Sequence, residues 1–72
     1  MENHRTLQKH DFVQAVKDFD IYTKGYTYYI EGECLDKYLG NCYLIKSLSK
    51  GTIDKYPVLF ADNRFKKLKG VH

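Results

Sequence analysis

The chain has 72 residues and a formal net charge of +3, with 15% aromatic side chains. Its length allows one small domain that buries only about 60% of the surface its unfolded form exposes, and its aromatic content excludes a disordered chain. No apolar run approaches the roughly 20 residues of a membrane span, and the start, Met1-Glu2-Asn3-His4-Arg5, lacks the apolar region of a signal peptide, so a cytoplasmic location without membrane contact is expected.

In chain order, residues 1–10 form a polar lead to a single small domain over 11–72. Asp11 and Gln14 have the spacing of a helix-capping box. Phe12, Ala15, Val16 and Phe19 follow at helical spacing and predict one short amphipathic helix over about 11–20. A strand over Phe12–Phe19 is the competing reading, and it sorts the apolar groups less well. Thr23-Lys24-Gly25 ends the helix and leads into the run Tyr26-Thr27-Tyr28-Tyr29-Ile30. Alternation there puts Tyr26, Tyr28 and Ile30 on one sheet face and Thr27, Tyr29 and Glu31 on the other.

Residues 31–41 carry glycine near both ends and charge in the middle, and predict a variable loop. Cys42 to Leu48 reads as the second strand, Ser49-Lys50-Gly51-Thr52 as a tight turn, and Ile53 to Phe60 as the third strand. Tyr56, Val58 and Phe60 would share a face of that strand. Pro57, the single proline, has no donor and places the strand at a sheet edge or a bulge. A 3₁₀ turn capped by Asp62 is expected at 61–65, dropping Phe65 onto the core before a last short strand, Lys66 to Lys69.

Charge is unevenly placed. Residues 21–63 are balanced, and the excess lies in Arg64, Lys66, Lys67 and Lys69. A basic face tracking a nucleic-acid backbone would spread over several elements, so this tail reads as a solvated strand guarded by lysines, with a local anion or nucleic-acid contact as the alternative.

The succession Lys24-Gly25-Tyr26-Thr27-Tyr28-Tyr29-Ile30, Tyr43-Leu44-Ile45-Lys46, a glycine turn, Pro57-Val58-Leu59-Phe60 and Asp62-Asn63-Arg64-Phe65-Lys66-Lys67-Leu68 resembles the small SH3-like β-barrel proteins of phages of Gram-positive bacteria. The resemblance covers about residues 24–69. The helix at 11–20 and the insertion Gly32–Asn41 depart from it. It implies a mostly β (α+β) fold, a partly open SH3-like barrel. It also implies a phage or mobile-element accessory protein that acts by occupying a host or phage macromolecule.

The residues themselves offer no catalytic constellation. His4 and His72 lie near the ends, and His10 reads as an exposed residue just before the helix. No phosphate loop, zincin or nucleophile-elbow motif is present. Cys34 and Cys42 are spaced as neither a redox CxxC pair nor a zinc knuckle; they read as free thiols, with a disulfide or metal pair across a hairpin as the alternative. No cofactor and no catalysis are expected.

All seven tyrosines fall between Tyr22 and Tyr56. A thin barrel cannot bury them all, and tyrosine gives contact area at low entropic cost, so a protein-binding surface is expected from Tyr22, Tyr29, Tyr38 and Tyr43. A nucleic-acid-binding barrel is the alternative, with Tyr26, Tyr28, Tyr43 and Phe60 stacking on bases among Lys46, Lys55 and the tail. A homodimer through an open sheet edge is a third reading.

Overall fold

The computed structural model describes residues 7–68. These are mostly β: five antiparallel strands in one open sheet, with one short helix. The strands are β1 (Phe12–Ala15), β2 (Thr27–Asp36), β3 (Gly40–Ser47), β4 (Ile53–Pro57) and β5 (Phe65–Lys67), and helix α1 spans Val58–Arg64. The sheet order is β4-β3-β2-β1-β5, so the last strand returns to lie beside the first.

The helix expected at 11–20 is absent, and β1 stands in its place. Val13 and Ala15 are buried while Phe12 and Gln14 are half-buried, a period of two; Val16, central to the helical stripe, is 38% exposed. An isolated helix of ten residues is marginal, whereas β1 is bonded on both sides, to β2 through Phe12↔Tyr29 and to β5 through Ala15↔Phe65. Asp11 accepts the Gln8 amide on its carboxylate at 2.8 Å in place of capping a helix. Leu7, assigned to the polar lead, is fully buried and belongs to the core.

The loop expected at 31–41 is the outer half of a long β2–β3 hairpin. Between Ile30↔Ile45 and Gly32↔Leu44 the register slips, leaving Glu31 as an extra residue on β2. A bulge of this kind bends the strand and reverses which positions face the core. Before it Tyr28 and Ile30 point inward; beyond it Glu33 lies opposite the buried Tyr43, which puts Cys34 and Asp36 on the outer face.

Strand β4 is an edge strand, as Pro57 requires, but it stops there. Pro57 sits at the helix N-cap with φ −59°, a place where its missing N–H costs nothing, and Val58 to Phe60 turn into α1. The expected shared face of Tyr56, Val58 and Phe60 is thereby broken. In place of a 3₁₀ turn at 61–65, seven residues are α-helical, and the Phe65 amide closes the end on the Ala61 carbonyl. Gly51, at φ 75°, forms the tight β3–β4 turn in the expected place.

The core is an aromatic cluster. Phe65 meets Phe19, Tyr22 and Tyr28 edge-on at centroid distances of 5.3, 5.1 and 5.8 Å, and Tyr22 meets Tyr28 and Tyr56 likewise. Such edge-to-face contacts add about 0.5–1.5 kcal/mol each beyond area burial.

Candidate binding surface

The structure divides the expected tyrosine surface. Tyr22 and Tyr43 are core residues. Tyr43 is fully buried because β3 aims it inward and the Leu7 carbonyl accepts its hydroxyl at 2.6 Å, which removes the need to keep the phenol wet. Tyr22 is held inward by the Phe19↔Tyr22 bridge in the β1–β2 loop and by the rings around it. Its hydroxyl is buried and finds no hydrogen-bond partner among the described residues. Burial first, then the nearby Asp54 carboxylate, push this phenol well above the ordinary tyrosine range.

Tyr29 and Tyr38 lie outside the core. Tyr29 is half-buried on the outer face of β2, packed at 4.9 Å against the tilted ring of Phe12 and hydrogen-bonded at 2.7 Å to Nδ1 of His10. Tyr38 is on the β2–β3 turn, at the far end of a ten-residue strand. At about 3.3 Å per residue the two are roughly 20 Å apart, so they do not form one patch.

What gathers around Tyr38 is an apolar hairpin tip. Leu35, Tyr38 and Leu39 are 77%, 86% and 50% exposed. The turn beneath them is tightly specified. Asp36 Oδ1 accepts the amides of Tyr38 (2.8 Å) and Leu39 (3.0 Å), and Oδ2 pairs with Lys55 Nζ at 3.2 Å. Gly40 supplies the positive φ, 78°, that closes the turn. The Leu39 and Tyr38 amides, and then Lys55, hold the Asp36 carboxyl below the usual range, while Asp36 raises the Lys55 ammonium. Lys37 Nζ lies 5.8 Å from the Tyr38 ring centre. Leu35 and Leu39 lie in the stretch whose composition predicts a loop, which hides them as contact residues; the run Asp36 to Gly40, an acceptor side chain followed by a glycine, is the signal the sequence offers for the turn.

Two of the basic side chains of the last stretch, Arg64 and Lys67, are engaged with the rest of the described residues. The Arg64 guanidinium packs over the rings of Phe19, Phe60 and Tyr56 at 5.4, 5.5 and 6.0 Å and donates to the Tyr56 hydroxyl, clamping α1 to the core. Lys67 pairs with Asp11 at 3.6 Å, Lys66 is exposed, and Lys69 lies outside the described residues. Of the four rings expected to stack on bases, Tyr28 and Tyr43 are buried, while Tyr26 and Phe60 are exposed. Lys46 and Lys55 face Glu31 and Asp36.

A groove of about 310 Å³ runs between the β1–β2 and β3–β4 connections, walled by Ile21, Tyr28 and Ile45 and edged by Lys50 and Asp54. Among the described residues no three His, Cys, Asp or Glu side chains group as metal ligands, and no helix is long and apolar enough to cross a membrane. Comparison with protein-family models, curated proteins and solved structures returned no match.

Proposed function

We propose that the chain is a small SH3-like barrel acting as a non-catalytic protein-binding module, with the β2–β3 hairpin tip as its contact. The sheet order β4-β3-β2-β1-β5, with the helix between β4 and β5, supports the SH3-like reading, since that group places its one-turn helix at the same point. The resemblance in sequence adds a role as a phage or mobile-element accessory protein directed at a host or phage protein.

One observation carries the contact: Leu35, Tyr38 and Leu39 are held out to solvent on a turn whose shape is set by Asp36 and Gly40. Large apolar groups on a pre-shaped turn lose little entropy on binding, and a central aromatic is the usual anchor of a protein contact. Charge of both signs lies around the tip: Lys37 beside the Tyr38 ring, the Asp36–Lys55 pair in the turn, and the exposed Glu33 on β2. The partner it fits is a protein with an apolar cleft that takes the leucines and the tyrosine ring.

The test is quantitative affinity capture from a bacterial lysate with wild type and with Leu35→Ser/Tyr38→Ser, alongside a nuclease-treated sample and anionic phospholipid vesicles. The expected result is a protein partner depleted at least about tenfold by the tip variant and unaffected by nuclease, a loss of about 1.4 kcal/mol or more. Equal recovery of all proteins by both forms overturns the reading, and so does a tip-dependent loss confined to vesicles or to nuclease-sensitive material.

A further inference from the structure

We propose that Cys34 and Cys42 form a cross-strand dithiol site that reacts reversibly with low-molecular-weight disulfides, glutathione disulfide being the probe of choice. The two cysteines are direct register partners across the β2–β3 hairpin. Direct partners in an antiparallel pair present their side chains on the same face, with Cα atoms about 4.5 or 5.5 Å apart according to ladder position. Both values lie within the roughly 4.4–6.8 Å that a disulfide spans, so neither strand has to move. Both thiols are free.

Their surroundings set the order of events. Cys34 is half-buried, and Cys42 is fully buried yet lies on the outer face, apart from the aromatic core. Burial first, then Cys34 and Asp36, push the Cys42 thiol up, and Lys55 draws it back. The Cys34 thiolate attacks one sulfur of the small disulfide, forms a mixed disulfide and releases one small thiol. Cys42 then loses its proton, attacks the Cys34 sulfur and expels the second small thiol. The two cysteines give up two electrons and two protons, and the small disulfide is reduced to two thiols. The closed ring contains Leu35, Tyr38 and Leu39, so the site covalently secures the exposed tip.

The test equilibrates the folded protein with mixtures of reduced and oxidised glutathione, quenches by alkylation and reads intact mass. Wild type is expected to populate two forms, the dithiol, which takes up two alkyl groups, and a monomer that takes up none and is about 2 Da lighter than the unalkylated chain, with the Tyr38 and Leu39 amide resonances shifting together and returning on reduction. Cys42→Ser is expected to stop at the mixed disulfide on Cys34. Accumulation in wild type of a mixed disulfide with Cys42 still alkylatable overturns the proposal, as does a disulfide-linked dimer or failure of Cys34 to react. Because the wild-type readout stands alone, a variant that fails to fold does not spoil the test. Because no partner protein is involved, the outcome is separate from the binding role of the tip.

Discussion

Tyr43 on β3 donates its phenol hydrogen to the main-chain carbonyl of Leu7 at 2.6 Å, inside the protein. The bond ties the segment before β1 to the middle of the sheet. Tyr43→Phe keeps the ring and strands a buried carbonyl, so a loss of about 1–3 kcal/mol is expected in urea unfolding, with no change in slope.

Tyr22 presents the opposite case. Its hydroxyl is buried without a partner among the described residues, so Tyr22→Phe is expected to be neutral or to stabilise by up to about 1 kcal/mol. The same substitution tests a pH effect. The folded phenol sits above its unfolded value, so its protonated form contributes stability that is complete below about pH 10 and is lost as pH rises further. Tyr22→Phe should therefore move the alkaline unfolding midpoint upward, read by near-ultraviolet phenolate absorbance and circular dichroism together.

Asp36 acts at the acid end. Its folded carboxyl lies below the unfolded value of about 3.9, so the turn is stabilised above that pH and released as pH falls through the folded value. In an NMR titration the Tyr38 and Leu39 amides are expected to follow this carboxyl with a midpoint below the ordinary aspartate range. Asp36→Asn keeps an acceptor oxygen for both amides and should abolish that titration while leaving the fold intact.

Phe65 is the hub of the aromatic cluster, touching Phe19, Tyr22, Tyr28 and Tyr56. Phe65→Ala should cost about 3–5 kcal/mol, comparable to the roughly 3–5 kcal/mol that a core of this size supplies, and thermal melting should show a sharp fall in Tm or no cooperative transition. Leu35→Ser, on the exposed tip, is expected to leave Tm nearly unchanged.

Those parts of the fold whose cause is local could be read from the sequence. The alternation of Tyr28, Tyr29 and Ile30, the Gly51 turn and the edge position forced by Pro57 all depend on neighbouring residues. The short segment Phe12–Phe19 fits the helical period better than the strand period, and what overrides that local signal is pairing with β5, supplied from residues 65–67. The β2–β3 hairpin was hidden because the extra Glu31 breaks the period that would have announced it. Tyr22 and Tyr43 were misplaced for a similar reason: a tyrosine's fate depends on what surrounds its hydroxyl, and neither the Leu7 carbonyl nor the ring cluster can be seen from the spacing of tyrosines. The tip is legible only in part, since the surplus of tyrosines points to Tyr38 and nothing in it points to Leu35 or Leu39.

The return of β5 to the side of β1 governs when this protein can acquire its shape. On the ribosome the β2–β3 ribbon needs only contiguous residues and can nucleate early, but β1 has one flank bare until the segment at 65–67 has been made. Chains halted before Phe65 should stay unsealed, sticky and quick to be degraded, so the native state cannot form until the strand at 65–67 has emerged.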